Sequence, residues 1–369
     1  MHRKRAVLAL KLLFATSLIA WLVFSGKIDF DLLANVKAGW PWFLVALIPF
    51  GGVLLVGALR WRLLLRAQNI HYSFSEVFSL SMIGLFFNQF LMGTTGGDLV
   101  KAYMVAREHP DRRSAGVMAV FVDRAVGLLV LVMVALVAMA FHLPQILDNP
   151  WLSSVAAVVA GIFSLSLLGG YVFYSERVRS PRWARALLLK LPFRGSLARL
   201  SEAVYIYKFH LREVGLAVLL SVMLHLMIVT MNILLAALVL QVSANWLEFF
   251  FLIPVAQIAM ALPINPPGAL GTGEWIYETM LPFAGVAEGG MLICLLQRCV
   301  YYVGALPGCI YYLKRKKQVE QAVDAARAAD ETTAGVSGSN RSGSDGDDGS
   351  PTDGSRGVRT ELDPSASET

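Results

Sequence analysis

Cysteine is scarce in this sequence, and the pattern of the few cysteines excludes two common classes of protein. The 369 residues include three, Cys294, Cys299 and Cys309, which share one apolar segment. Because none has CxxC spacing, they predict neither a disulfide framework nor a structural zinc site. Six scattered histidines offer no metal cluster either. We therefore expect no metal and no other cofactor.

Charge is scarce as well. Only 16% of the residues are charged, 56% are hydrophobic, and the mean hydropathy is +0.59. This composition excludes an ordinary soluble domain and predicts an all-α polytopic membrane protein. The net charge of +6 indicates membrane orientation rather than nucleic-acid binding, because the basic residues lie in short loops.

Eight segments are apolar, and six of them are long enough to cross a bilayer, which takes about 20 residues of helix. The six predicted spans are residues 6–24, 42–59, 114–141, 151–174, 214–240 and 289–313. The first follows the basic stretch HRKR but lacks a cleavage site, so we interpret it as a retained span. The two shorter segments are residues 74–92 and 249–262.

The distribution of basic residues indicates whether these two shorter segments cross the membrane. The connections 26–41, 142–150 and 241–248 contain only Lys27 and Lys37, whereas basic residues cluster in the other connections and at the N-terminus. Cytoplasmic loops carry the excess of Lys and Arg, and a full crossing by 74–92 would place 101–113 outside. We therefore predict two opposed re-entrant helical hairpins, returning through 98–106 and 274–281, with both termini cytoplasmic.

This layout predicts an inverted repeat, in which each half consists of two spans, a re-entrant hairpin and a third span. The two hairpin tips are LMGTTGGD and LPINPPGALGTGE, and an arginine follows the last residue of each tip by 26 or 24 residues. Inverted repeats with broken helices near the midplane are typical of transporters, although two Gly-rich tips can also correspond by chance. The candidate tip residues are Gly93, Gly96, Gly97, Pro263, Pro267, Gly268, Gly271 and Gly273.

Charged residues interrupt the apolar spans at Asp123, Arg124 and Arg298. Each costs about 2.5–3.5 kcal/mol at the centre of a membrane helix, so we expect these side chains to pair or to face water. The arginines can hold a phosphate through a bidentate fork, with help from the helix starts at the tips. The alternative is a structural ion-pair ladder, with the carboxylates capping helices or orienting the arginines. The candidate substrate-binding residues are Asp98, Lys101, Asp123, Arg124, Glu274 and Arg298.

Two regions lie outside the predicted membrane helices. Residues 175–213 alternate basic and apolar side chains, which fits either an amphipathic helix on the cytoplasmic surface or a solvated connector. Residues 319–369 form a predicted cytoplasmic tail, disordered from about residue 330 because its composition cannot bury enough apolar surface. Residues 1–318 are the predicted membrane domain. Within it, His225 and Asn232 share a helix face and are typical of contacts between helices.

The ordered motifs resemble the lysylphosphatidylglycerol synthase transmembrane family. They are Arg60-Trp-Arg-Leu-Leu-Leu, Phe87-Asn88-Gln89-Phe90 with Gly96-Gly97-Asp98, Asp123-Arg124 with Gly127, and Pro263 through Gly268, Gly271 and Glu274. The resemblance covers roughly residues 5–315. It implies lipid translocation or handling, as in the flippase portion of the multiple peptide resistance factor. The family's aminoacyl-transfer domain is absent, so we expect no enzyme activity.

The first functional hypothesis is a flippase in the bacterial inner membrane. Its substrate would be a lipid with a charged headgroup, either an aminoacylated phospholipid or a polyprenyl-phosphate-linked sugar. A non-transporting accessory subunit of an envelope-synthesis complex and a small-solute carrier remain alternatives, and partner proteins of such a complex are possible. An enzyme acting on a lipid phosphate would need a nucleophile or metal ligands near the arginines, and the sequence offers none.

Overall fold

The structure is a computed structural model that describes residues 30–90, 96–174, 205–262, 265–266 and 269–316. Every regular element within these ranges is a helix. The α-helices are α1 (Phe30–Ala67), α2 (Phe74–Phe90), α3 (Gly96–Glu108), α4 (Arg113–Phe141), α5 (Leu143–Asp148), α6 (Pro150–Tyr174), α7 (Leu211–Leu234), α8 (Trp246–Ala261), α9 (Thr272–Met280) and α10 (Gly290–Lys314). Short 3₁₀ turns at Pro110–Arg112, Tyr207–Phe209 and Leu281–Ala284, and a π-helical turn at Leu235–Val239, extend or join them.

Five helical stretches are long and apolar enough to cross a membrane, and they contain α1, α4, α6, α7 and α10. Large apolar side chains such as Ile48, Leu165 and Ile310 are exposed on them, as expected for helices that contact lipid rather than water. These stretches match the second to sixth predicted spans. The first predicted span, the tail and most of the segment 175–213 lie outside the described residues.

Helix α1 is longer than the sequence predicted. It begins at Phe30, inside the predicted connection 26–41, and contains both Pro41 and Pro49. The boundary drawn at Pro41 was wrong because neighbouring helices can satisfy the backbone groups that proline frees in a membrane helix. The predicted connection 142–150 likewise contains the short helix α5.

Helices α2 and α3 form an antiparallel pair. At one end of the pair the Gly97 N–H donates to Asn88 Oδ1 at 2.7 Å. At the other end the Tyr72 hydroxyl donates to Glu108 Oε2 at 2.6 Å. A Cβ on Gly97 would overlap the carbonyl oxygen of Gly84. The two backbones therefore approach each other as closely as glycine permits.

Helices α8 and α9 form a second antiparallel pair. The Asn245 N–H, just before α8, donates to Ala284 O at 2.8 Å, beyond the end of α9. Near the opposite end, Gly273 lies against Met260 and against the Arg298 side chain. The Met291 N–H donates to Glu278 Oε2 at 2.9 Å and so attaches α9 to the start of α10. Most of α8 is buried and belongs to the largest hydrophobic cluster among the described residues.

Helices of the first half of the chain pack against helices of the second half. Helix α1 packs along α7, α4 packs against α8, and α2 packs against α10. At one end, which we call the basic end, Arg112 Nη1 donates to Gln68 O and Tyr207 Oη to Leu64 O. The described basic residues there are Arg62, Arg66, Arg107, Arg112, Arg113, Lys208, Arg212, Lys314, Arg315 and Lys316.

The opposite end, which we call the acidic end, carries little positive charge. It joins the start of α1 to Leu240, because Asn35 Nδ2 donates to Leu240 O at 3.1 Å. Lys37 is the single Lys or Arg that the described ranges place there. The acidic residues described there include Asp148, Glu248, Glu278 and Glu288. The helices thus separate a basic end from an acidic end, as the loop charges predicted.

Candidate substrate-binding site

The first cluster of charges lies where α3 meets α4. Arg124 Nε of α4 donates to Asp98 Oδ2 of α3 at 2.6 Å. The Lys101 ammonium lies 3.8 Å from Asp98 Oδ1 and 4.2 Å above the centre of the Trp61 ring. Asp98 and Lys101 are buried, whereas the Arg124 side chain is 54% exposed. One face of this cluster is therefore open.

Asp123 belongs to a different pair from its neighbour Arg124. Arg60 Nε and Nη2 donate to the two Asp123 oxygens at 2.8 and 3.0 Å, and Nη1 donates to Ser221 Oγ at 3.0 Å. Consecutive residues of a helix point in different directions, so Asp123 and Arg124 face different neighbours. The direct bonds of the expected ladder are therefore divided between two pairs, Arg60 with Asp123 and Arg124 with Asp98.

Arg60 is the charged residue that the sequence analysis missed. It is buried, although the predicted second span stopped at Leu59 and left Arg60 in a cytoplasmic basic group. The sequence RWRLLLRA contains no helix breaker. That continuity was the signal that the helix, and with it Arg60, extends further into the protein.

The second cluster lies where α9 meets α10. Arg298 Nε donates to Glu274 Oε1 at 2.6 Å, and Nη2 donates to Glu274 Oε2 at 3.3 Å and to Ala269 O at 2.7 Å. The Glu274 side chain is fully buried and the Arg298 side chain is 12% exposed. This pair is enclosed, in contrast to Asp98 and Arg124.

Neutral polar side chains also contact one another beside the second pair. Gln297 Oε1 accepts from the Tyr277 hydroxyl at 2.8 Å and from Asn232 Nδ2 at 2.7 Å. Gln297 and Tyr277 were not among the predicted site residues. The sequence did contain a signal for this contact, because both residues are polar and lie within apolar helices. Buried polar groups need hydrogen-bond partners, so an amide and a phenol there are expected to bond to other polar side chains.

Helix α7 contacts residues beside both clusters. Ser221 accepts from Arg60 of the Arg60–Asp123 pair, and Asn232 donates to Gln297, which precedes Arg298 of the second cluster. The rise of an α-helix puts Ser221 and Asn232 about 16 Å apart along the axis. His225 lies between them with Nε2 3.1 Å from Gly127 O of α4. Both predicted helix–helix residues of α7 therefore contact a neighbouring helix.

The two site carboxylates lie in the first turns of α3 and α9. The helices begin at Gly96 and Thr272, two residues before Asp98 and Glu274. Both carboxylates bond to arginines in the described structure, an arrangement that suits orienting an arginine better than capping. Gly271 has a φ of +78°, which glycine adopts without strain. Gly93, Pro263, Pro267 and Gly268 lie outside the described residues.

Two further observations limit the chemistry of the site. Within the described ranges, Asp98 Oδ1 has no hydrogen-bond partner although it is buried. In the same part of the chain, no three His, Cys, Asp or Glu side chains are placed to hold a metal ion. The polar groups that the described clusters offer a ligand are guanidinium and ammonium donors beside carboxylate acceptors.

Long apolar helices with charged pairs between them define a multi-pass membrane protein. The sequence model described as lysylphosphatidylglycerol synthase TM region matches residues 8–308, and the chain belongs to that family. The resemblance found in the sequence motifs is thereby confirmed.

A relative from the archaeon Pyrococcus horikoshii, the UPF0104 membrane protein PH1989, is 23% identical over 337 residues. The aligned region covers 84% of this chain and 97% of the relative. No solved structure matches the chain.

Proposed function

We propose that this protein moves a lipid with a charged headgroup across the membrane by alternating access. The observation that carries the proposal is that each half contains an arginine held by a carboxylate. Arg124 and Arg298 each follow an antiparallel helix pair, and each donates Nε to a first-turn carboxylate of that pair at 2.6 Å. Such an arginine can receive a lipid phosphate, since guanidinium and phosphate match as a bidentate pair.

The inverted repeat is part of this proposal and is supported by the packing of the helices. If a two-fold pseudo-axis relates the halves, α1 corresponds to α7, α2 to α8 and α4 to α10. Such an axis would bring α1 and α7 together. It would also make the contact of α4 with α8 equivalent to that of α10 with α2, and helices pack in all three of these ways. On this scheme the two helix pairs are re-entrant hairpins that enter from opposite faces.

The orientation follows from charge. The basic end would face the cytoplasm of a bacterial inner membrane, with both termini on that side. Cysteine substitution at Arg112 of the basic end and at Leu247 of the acidic end tests this orientation, since Leu247 is exposed and Arg112 lies on the surface. In intact cells, an impermeant thiol reagent should label the second position and not the first.

The exposed Arg124 is the group that this conformation offers to a headgroup. Its bond to Asp98 uses Nε, so the two terminal nitrogens remain able to donate to a phosphate. Arg298 instead commits Nη2 to Glu274 and to Ala269 O. We propose that a phosphate meets Arg124 in one state and Arg298 in the other. No covalent step is part of the proposed mechanism.

The headgroup would be that of an aminoacylated phospholipid or of a polyprenyl-phosphate-linked sugar. Mass spectrometry of lipids that co-purify with the protein would distinguish them, and a lipid vesicle assay would follow movement of the species found. Vesicles containing the wild-type protein should translocate that lipid faster than protein-free vesicles. Equal rates, with the protein folded and inserted, would favour a non-transporting accessory subunit.

A further inference from the structure

Arg124 emerges on a face of α4 whose other large side chains are apolar and exposed. Val117 and Phe121 lie seven and three residues before Arg124, Leu128 lies four residues after it, and all three are exposed. This spacing places the four side chains on one side of an α-helix. Phe121 is 56% exposed, about as much as the Arg124 side chain at 54%. The exposed part of the arginine therefore belongs to the same surface as these apolar side chains.

Helix α3 extends this surface. Asp98 bonds to Arg124, and the next residue, Leu99, is exposed. The residues on either side of Leu99 are buried, among them Asp98 and Lys101, so α3 contributes an apolar side chain to the surface at this level. We call the surface formed by Leu99, Val117, Phe121 and Leu128 the lateral face.

The lateral face lies at membrane depth. The helical stretch that contains α4, Pro110–Phe141, is long and apolar enough to cross a bilayer, and Arg124 lies near its middle. A bilayer has a hydrocarbon core about 30 Å thick, and Arg124 is about 16 Å along the axis from the first residue of α4. A guanidinium exposed to hydrocarbon at this depth is costly, so it needs an anion or water beside it.

The corresponding positions around Arg298 are not exposed. Met291, Leu295 and Tyr302 have the same spacing from Arg298 that Val117, Phe121 and Leu128 have from Arg124. Met291 is buried, and Leu295 and Tyr302 are half-buried. The exposed apolar residues of α10, such as Val303, lie on another side of the helix. In this conformation the first arginine therefore opens sideways, and the second does not.

A lipid has both properties that the lateral face requires of a ligand. Its phosphate is an anion that matches a guanidinium, and its hydrocarbon chains are the normal neighbours of apolar side chains in a bilayer. A soluble anion has only the first property. Phe121 and Leu128 border Arg124 in both directions along α4, so an anion that arrives over this face meets apolar side chains first.

We propose that the lateral face is the entry port at which a lipid docks from within the bilayer. Its phosphate lies at Arg124, and one hydrocarbon chain lies along Val117, Phe121 and Leu128. This inference rests on the proposed function, which places a phosphate at Arg124, and adds the route by which the phosphate arrives. The substrate must then carry a hydrocarbon chain, which distinguishes a lipid transporter from a small-solute carrier.

Photo-crosslinking of the full-length protein in vesicles tests the proposal. A photoreactive benzophenone amino acid would replace Phe121, or, as the matched control, Val303, which is exposed near the middle of the stretch Gly290–Lys314. The vesicles would contain equal amounts of phosphatidylglycerol and of digalactosyldiacylglycerol, which lacks a phosphate. Mass spectrometry would give the ratio of the two lipid adducts at each position.

The adduct ratio should favour phosphatidylglycerol at position 121 and not at position 303. We expect the two ratios to differ by about threefold or more, because a charge-assisted hydrogen bond gives about tenfold and exchange with the surrounding lipid lowers it. Equal ratios would overturn the proposal. This comparison retains both arginines, so it does not depend on the folding of an arginine variant.

Two further measurements assign the preference to Arg124 and to a lipid. Arg124→Gln should lower the ratio at position 121 to that at position 303, whereas Arg113→Gln, at the exposed start of the same helix, should not. A ratio unchanged by Arg124→Gln would overturn the assignment. Excess glycerol phosphate on both sides of the membrane should leave the preference intact. Its loss would show that Arg124 is reached from water, and would overturn the lateral entry.

Translocation of the co-purified lipid, measured in the same vesicles, separates this inference from the function on which it rests. Translocation without a preference at position 121 would overturn the lateral docking and leave the proposed function standing. A preference without translocation would support the docking and count against a flippase. We expect both the preference and the translocation.

Discussion

The side chain of Arg124 in the first half is exposed and that of Arg298 in the second half is enclosed, although both arginines make the same bond to a carboxylate. In both, Nε meets a buried carboxylate oxygen at 2.6 Å, yet 54% of the Arg124 side chain is exposed against 12% for Arg298. The difference therefore arises from the neighbours and not from the pair. Arg298 bonds to Ala269 O as well as to the buried Glu274, whereas Arg124 bonds to Asp98 through Nε.

On the proposed mechanism, alternating access requires such a contrast between two related halves. A transporter whose halves are equivalent in sequence pattern must hold them in different conformations at any one time. One arginine is then available while the other is occluded, and exchanging the conformations would exchange their exposure. The following predictions test how far the two halves differ.

The largest expected difference concerns the arginines themselves. Arg298→Gln leaves Glu274 as a buried, uncompensated carboxylate, which should cost about 3–5 kcal/mol of folding free energy. Arg124→Gln should cost less, since Arg124 is largely exposed and Lys101 remains near Asp98. Denaturant-dependent unfolding of both variants in the same detergent measures the difference. Equal losses would mean that the two pairs are enclosed to the same degree.

The two helix pairs should also respond differently to a single added methyl group. In Gly97→Ala the new Cβ meets the Gly84 backbone, which cannot move aside, so we expect a loss of about 1–3 kcal/mol. In Gly273→Ala it meets the ends of the Arg298 and Met260 side chains at 2.9 and 3.0 Å, which can shift. Thermal unfolding should rank Gly97→Ala below Gly273→Ala. Gly161→Ala, where nothing lies within 4 Å, is the matched control.

The neutral network beside Arg298 should contribute a smaller amount. Gln297→Leu removes the nearer acceptor of the Tyr277 hydroxyl and leaves it Asn232 Oδ1 at 3.4 Å, while Asn232 keeps its bond to Ile228 O. A buried donor left unpaired costs about 1–3 kcal/mol, so the loss with this longer bond remaining should lie at or below the lower end of that range. Tyr277→Phe removes that donor, so the double variant should be more stable than the sum of the single losses predicts. Additive losses would show that Tyr277 and Gln297 are not coupled.

The smallest effect is expected at the start of α2. Ser73 and Glu76 form a capping box, in which Ser73 Oγ and N donate to Glu76 Oε2 at 2.7 and 2.8 Å and the Glu76 N–H donates to Ser73 Oγ. Ser73→Ala should cost about 1 kcal/mol near neutral pH. Ser75→Ala, in the same turn, is the control.

This capping contribution should depend on pH. The hydrogen bond from the Ser73 hydroxyl, and to a smaller extent that from the Ser73 backbone N–H, lowers the pKa of Glu76 from its usual 4.5. A lowered carboxyl pKa stabilises the folded state above the unfolded value, and the stabilisation is lost as the pH falls through the folded value. The difference between wild type and Ser73→Ala should therefore shrink below about pH 4.5. A difference that persists at lower pH would mean that the carboxylate does not take part.

The sequence was sufficient to predict two of the charged pairs, one in each half. Asp98 with Arg124, and Glu274 with Arg298, follow from a repeated spacing along the chain, which the packing of consecutive helices preserves. The approximate bounds of five long helices and of both helix pairs followed from apolar length and loop charge. These properties are local, so they can be read without knowing how the halves meet.

Contacts between distant helices could not be predicted in this way. Arg60 with Asp123 joins two non-consecutive helices of the first half, and His142 with Glu248 joins the first half to the second. Hydropathy alone ended the second span at Leu59 and left Arg60 out. The exposure of Arg124 compared with Arg298 is also a property of the assembled helices, so the spacing of residues does not contain it.

The central claim is that each arginine provides a fork for a lipid phosphate. The most direct test is translocation of the co-purified lipid in vesicles by Arg124→Lys and Arg298→Lys, with the thermal stability of each variant measured in parallel. Lysine retains the charge but not the fork, so we expect both variants to insert and fold while translocation falls about tenfold or more, the loss for one bidentate contact. Folded variants with wild-type translocation would contradict the claim, and unfolded ones would show that the pairs serve structure instead.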